Sequence, residues 1–174
     1  MKITDKNKMI IGITCIFILV SIWFMFGRGF DFSKKRNSDS TVMPEATTTT
    51  EAIDNGIVVE QSFINTTDTI SEIGVVFYRI QYLEGVNMVM ELYDGNKLLA
   101  SSIYPVHMIE GEHRTYIVPN STLTGMKNKD LKIRVFAEQN EYTGLSILVS
   151  EKENASYKFG NSMKNGSLCF SVTE

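Results

Sequence analysis

The feature that most limits what this chain can fold into is a period of two. Leu131, Ile133, Val135 and Ala137 alternate with Lys132, Arg134, Phe136 and Glu138. Side chains two residues apart share a face only in an extended strand, so this segment is a strand with one face buried. The alternation recurs in Met88, Met90 and Leu92, in Leu145, Ile147 and Val149, and in Leu168, Phe170 and Val172. Residues 57–63 make a shorter strand bounded by Asn65-Thr66-Thr67-Asp68, and residues 73–83 are apolar on both parities. Asp94-Gly95-Asn96 turns the Met88 strand back into residues 97–103, and residues 115–118 stop at Pro119. No window carries the 3.6-residue period of an amphipathic helix. Seven or eight short strands with Gly, Asn and Asp turns predict an all-β fold, an antiparallel β-sandwich over residues 57–174. About 118 residues are enough to bury a core without covalent staples.

The N-terminus obeys a different rule. Residues 9–26 contain no charged side chain. As a helix they extend roughly 27 Å, close to the thickness of a bilayer's hydrocarbon core. Thr14 and Ser21 can return their hydroxyls to the helix backbone, and Trp23 and Phe24 suit an interface. A cleaved signal peptide has a shorter apolar region that ends in small residues. This run instead leaves through Trp23-Phe24-Met25-Phe26. The expectation is a basic flank over residues 1–8 and an uncleaved signal anchor, a single transmembrane helix, over residues 9–27. Lys2, Lys6 and Lys8 on one side nearly balance Arg28, Lys34, Lys35 and Arg36 on the other. After Arg36 no basic residue appears until Arg79, across an acidic stretch. That asymmetry favours the N-terminus inside and the C-terminal domain outside, at a cell membrane. Residues 28–56, rich in Ser, Thr, Asp and Asn, read as a flexible polar linker with a span of about 30 Å.

Composition narrows the function. Seventeen Lys and Arg against twenty Asp and Glu give a net charge of -3. From Ile57 onward ten basic residues face fourteen acidic ones, which excludes nucleic acid as a partner. Cys15 and Cys169 lie in different environments and do not pair; Cys169 alternates out of the Leu168, Phe170 and Val172 set as a small filler. No nucleophile elbow, phosphate loop or dinucleotide fingerprint is present. The segment from His107 to His113 gathers two histidines with Glu110 and Glu112, but Gly111 marks it as a turn rather than a helical metal site. The expectation is a protein without catalytic residues, metal or cofactor. Four Asn-x-Ser/Thr strings, at Asn65, Asn120, Asn154 and Asn165, mark turns.

The aromatic residues are the better lead. Tyr78 and Tyr82 share a parity in the 73–83 strand, Tyr93 alternates out of the Met88, Met90 and Leu92 set, and Arg134 out of the Leu131, Ile133 and Val135 set. Tyrosine platforms beside an arginine suit sugar rings, whose C–H faces stack on aromatics while hydroxyls take hydrogen bonds. Tyrosines also serve simply as cross-strand partners. Tyr104, His107, Tyr142 and Tyr157 are alternative loop contacts.

Five strings then carry a resemblance: Gln61-Ser62-Phe63, residues 70–75, residues 90–99, residues 144–149 and residues 165–170. Together they resemble a jelly-roll domain of carbohydrate-binding-module type, attached to bacterial membrane proteins of cell-surface polysaccharide assembly. The resemblance covers nearly the whole of residues 59–173, at structural positions rather than ligand residues. It implies a jelly-roll-like sandwich and a glycan-related role in the cell envelope. The chain departs from that family in having no polytopic membrane domain and no glycosyltransferase, which leaves an anchored accessory. Its expected partners are the lipid bilayer and a glycan or an envelope protein, with a protein-interaction scaffold as the alternative.

Overall fold

The computed structural model describes residues 43–54, 56–138 and 142–174. All of them belong to one compact unit, Asn37–Glu174. The expected basic flank and anchor lie outside the described residues. Among the described residues no helix is long and apolar enough to cross a membrane.

Among the described residues twelve strands follow in order: β1 (Thr48–Thr49), β2 (Val59–Ile64), β3 (Glu72–Arg79), β4 (Asn87–Asp94), β5 (Lys97–Pro105), β6 (Glu112–Ile117), β7 (Asp130–Ala137), β8 (Leu145–Ser150), β9 (Ser156–Phe159), β10 (Ser162–Asn165), β11 (Ser167–Leu168) and β12 (Phe170–Thr173). They form two antiparallel sheets. The first runs β1-β8-β3-β12, with β6 also on β3 and β11 also on β8; the second runs β10-β9-β2-β7-β4-β5. Two hairpins in the second sheet turn on glycine. Asp94 pairs Lys97 around Gly95-Asn96, and Phe159 pairs Ser162 around Gly160-Asn161. Both glycines take a φ of 58° at the first turn position, where an L side chain is strained and the hairpin twist demands it.

The alternation read from sequence becomes the core of a sandwich. Ile73, Val75 and Phe77 of β3 and Leu145, Ile147 and Val149 of β8 face Met88, Met90 and Leu92 of β4 and Leu131, Ile133 and Val135 of β7, all fully buried. Burying each such side chain contributes roughly 1.5–3 kcal/mol, which is what holds two sheets face to face. One polar clip crosses this core. Gln61 of β2 donates from Nε2 to Ser167 Oγ at 2.9 Å and accepts at Oε1 from the Leu168 backbone N–H at 2.6 Å.

The linker expectation is corrected at its C-terminal part. Residues 43–54 are bound to the first sheet. Thr47, Thr50 and Ile53 donate their backbone N–H groups to Val149, Ile147 and Leu145, each at 2.8 Å. Thr50 Oγ1 accepts from the Ile147 N–H at 3.0 Å, and Ile53 is fully buried in the core. The stretch looks polar because threonine hydroxyls supply part of the pairing. Its single large buried side chain, Ile53, is too isolated to register as a pattern.

The outer faces of the two sheets differ in kind. On the first, Val76, Leu148 and Cys169 form a buried apolar cluster against which Met43 packs. Burial pushes the Cys169 thiol up to about 11, away from any nucleophilic use. On the second, Glu60, Glu91, Tyr93, Lys132, Arg134 and Phe136 point outward and are partly exposed.

Candidate functional site

The open face is organised by register. Lys158 of β9 stands opposite Glu60 of β2, Glu60 opposite Arg134 of β7, and Arg134 opposite Glu91 of β4. Neighbouring strands lie about 4.8 Å apart, so this order builds a ladder of alternating charge across the sheet. Lys158 Nζ is 3.7 Å from Glu60 Oε2, Arg134 Nε is 2.9 Å from Glu60 Oε1, and Arg134 Nη1 is 3.3 Å from Glu91 Oε2.

Tyr93 joins the ladder from β4, where a shift of register between Leu92 and Tyr93 bends the strand. Its hydroxyl donates to Glu91 Oε2 at 2.9 Å and accepts from Arg134 Nη1 at 3.3 Å. The Arg134 guanidinium carbon lies 5.5 Å from the Tyr93 ring centre and 5.7 Å from that of Phe136. Lys132 Nζ lies 5.7 Å from the Tyr93 ring. Burial alone pulls the guanidinium's pKa down, but the Tyr93 hydrogen bond and the Glu60 and Glu91 carboxylates lift it above its ordinary value. Exposed pairs of this type contribute only about 0.2–1 kcal/mol each to stability, so their larger effect is to fix one rotamer of a long side chain. Nη1 carries hydrogen bonds to Glu91 and Tyr93, and Nε makes a close ionic approach to Glu60.

Beside the ladder lie two adjoining hollows that share Glu60 and Lys158. One, an open hollow of about 560 Å³, is lined by Glu51, Arg134, Asn161 and Ser162. The other, of about 350 Å³, is lined by Ser62, Lys132, Ser156 and Met163. The combination offers hydroxyl, amide, carboxylate and cationic groups along a shallow trough with nearly balanced charge. It can hold an extended polar ligand by hydrogen bonds.

The four residues expected to form one site divide into two pairs. Tyr93 and Arg134 meet on the second sheet. Tyr78 and Tyr82 belong to β3 of the first sheet and the loop after it, on the other side of the core. Strand parity fixes a side chain's face but not the sheet its strand enters. Of the alternative contacts, Tyr157 is buried in the core, and Tyr104 donates inward to the Tyr116 carbonyl at 2.8 Å. His107 sits exposed in the short 3₁₀ turn Val106–Met108, and among the described residues no group of three or more His, Cys, Asp and Glu is placed to hold a metal ion. Asn65 is buried in the folded domain, where its amide donates to the carbonyls of Thr67 at 2.7 Å and Met126 at 3.0 Å.

Glu60, Glu91 and Lys158 were not singled out by sequence. Glu91 alternates outward between Met90 and Leu92, which is a signal; Glu60 lies between Val59 and the polar Gln61, which weakens it. Their meeting with Arg134 depends on a register that only the folded sheet defines.

No protein-family model and no curated protein matches the chain.

Proposed function

We propose that this chain is a non-enzymatic, single-pass membrane protein whose jelly-roll-like sandwich binds glycan outside the cell through the open face of its second sheet. The observation that carries the reading is Arg134, fixed by Glu60, Glu91 and Tyr93 at the edge of a polar trough. A sugar offers many hydroxyls and no net charge. Arg134 Nη2 and Lys158 Nζ donate to such hydroxyls, Glu60 accepts from them, and Ser62, Ser156 and Asn161 add neutral groups. The near balance of charge favours a neutral glycan over a polyanion. The anchor over residues 9–27 supplies tethering, so function is equilibrium capture at the membrane.

The test is titration of a panel of neutral and acidic oligosaccharides into the fragment Asn37–Glu174, whose core is complete within itself. Arg134→Ala and Lys158→Ala should each weaken binding at least about tenfold, a loss of roughly 1.4 kcal/mol, while Tyr78→Ala and Tyr82→Ala leave it unchanged. Binding that survives Arg134→Ala in a variant with unaltered melting discards this face. Protease protection of the domain in intact cells would overturn the orientation.

The second reading, a protein-interaction module, rests on the exposed Tyr78, Ile80 and Tyr82 at the far end of β3. Recovery of one stoichiometric protein by crosslinking, without glycan binding, would favour it.

A further inference from the structure

The smaller hollow beside the ladder differs from the rest of the trough in what it leaves unpaired. Two rows of outward side chains cross the second sheet there. In the first, Met163 stands opposite Lys158, Lys158 opposite Glu60 and Glu60 opposite Arg134. The second runs about 7 Å further along the strands, where Asn165 stands opposite Ser156, Ser62 opposite Lys132 and Lys132 opposite Tyr93. The first row is closed on itself by its ion pairs. The second carries a cation and no carboxylate.

The hollow of about 350 Å³ takes its lining from both rows: Glu60, Lys158 and Met163 from the first, Ser62, Lys132 and Ser156 from the second. Lys132 makes no ion pair among the described residues, and its ammonium rests 5.7 Å from the Tyr93 ring centre. Lys158 has a loose approach to Glu60 Oε2 at 3.7 Å. Ser62 and Ser156 are exposed, and their hydroxyls make no hydrogen bond among the described residues. The one carboxylate of the lining, Glu60, is held through Oε1 by Arg134 Nε at 2.9 Å. Asp130, two residues from Lys132 on the same face of β7, does not line the hollow, and neither do Glu151, Lys152 and Glu153 of the loop before β9. What is left is two ammonium groups, two free hydroxyls and an apolar wall, Met163, which is 66% exposed.

The backbones of Lys132 and Lys158 lie roughly 12 Å apart, two strand spacings across and two residues along, a gap that two lysine side chains close on one anion between them. A planar carboxylate suits the fork of an arginine. Ammonium and hydroxyl donors approach from several directions and suit the several oxygens of a phosphate. Met163 gives the apolar face of an attached ring something to rest on.

We propose that this hollow is a subsite for a phosphate group carried on a sugar. The inference rests on the glycan reading of the trough and narrows it: uncharged rings lie along the neutral ladder, and an isolated phosphate substituent sits between Lys132 and Lys158. Two cations against one carboxylate accommodate a single substituent, not a polyanion.

The experiment is an NMR titration of Asn37–Glu174 with three probes: inorganic phosphate, methyl glucoside and glucose 6-phosphate. Glucose 6-phosphate should give saturable shifts in the millimolar range at Ser62, Lys132, Ser156 and Met163, at least about threefold tighter than inorganic phosphate and weakened several-fold by added salt. Lys132→Gln should weaken it about tenfold, and Ser62→Ala with Ser156→Ala several-fold, with melting unaltered in each; Lys127→Gln, on an exposed loop outside both hollows, leaves it unchanged. Glucose 6-phosphate that shifts none of these four residues, or that binds Lys132→Gln as well as the native domain, overturns the proposal even where neutral oligosaccharides bind at Arg134. Inorganic phosphate that binds as tightly as glucose 6-phosphate assigns the hollow to a free anion and overturns it as well. Neutral oligosaccharides that fail to bind, while glucose 6-phosphate behaves as expected, overturn the neutral-glycan reading and leave the phosphate subsite standing.

Discussion

Gln61→Leu probes how the two sheets are locked together. Gln61 is 4% exposed, and its amide is the clip between β2 of the second sheet and β11 of the first. Leucine fills a similar volume but carries neither donor nor acceptor. The Leu168 N–H, now bound to Gln61 Oε1 at 2.6 Å, is left buried without a partner. An orphaned buried donor costs about 1–3 kcal/mol. Ser167 Oγ loses a donor but keeps its own bond to the Leu168 carbonyl at 3.1 Å, which limits the additional loss. The gain from burying an aliphatic side chain in place of an amide offsets about 1 kcal/mol. The net expectation is a destabilisation of about 2 kcal/mol, roughly thirtyfold in the folding equilibrium. Urea unfolding of Asn37–Glu174 measures it as a lower midpoint at constant slope. A change below about 0.5 kcal/mol at unchanged slope would show that the clip is replaceable by packing, and the reasoning from orphaned donors fails.

Gly144→Ala should cost about 2–3 kcal/mol, because Gly144 has a φ of +62° and a Cβ there would lie 2.7 Å from the Gln81 carbonyl oxygen. Gly95→Ala, with a φ of +58° and open space around it, should cost only about 1 kcal/mol, and paired thermal melts separate the two. Native Cys169 should resist thiol reagents at neutral pH. With its thiol pushed up from 9.0 to about 11, the unfolded chain ionises first as pH rises, so the thiol's contribution to stability falls between those values. Relative to Cys169→Ala, the loss should be no steeper than about 1.4 kcal/mol per pH unit in chemical denaturation; a flat difference refutes it. Ser146 is fully buried and its hydroxyl has no hydrogen-bond partner among the described residues. Ser146→Ala should therefore leave stability unchanged or raise it by up to about 1 kcal/mol in the same assay.

Legibility in the sequence followed the strength of each local pattern. β7 was legible because four apolar residues in strict alternation fit no other backbone. β3 was legible as a strand, and its double-parity apolar content has a physical cause: Val75 and Phe77 enter the core while Val76 packs on the outer cluster. The β9–β10 hairpin was not read, since Tyr157 and Phe159 are its only buried side chains and β10 is exposed throughout. β1 was hidden in a run of threonines. For the site, the outward direction of Tyr93 and Arg134 followed from parity alone. Their contact with each other, their separation from Tyr78 and Tyr82, and the recruitment of Glu60 and Lys158 all depend on which strands become neighbours. That is a long-range choice made by the whole core, and no short window encodes it.

The attachment of residues 43–54 to β8 also has a mechanical meaning. A tensile load entering from the N-terminal side reaches the sheet at its edge, through β1, where the ladder is two residues long. The bonds of Thr47, Thr50 and Ile53 to β8 would give way in sequence, while the strands that build the trough lie in the other sheet. Peeling those twelve residues pays out about 40 Å of chain. The edge strand would therefore act as a fuse for a load applied at Met43, one that lengthens under strain and removes Glu51 from the trough while leaving the Arg134 ladder intact.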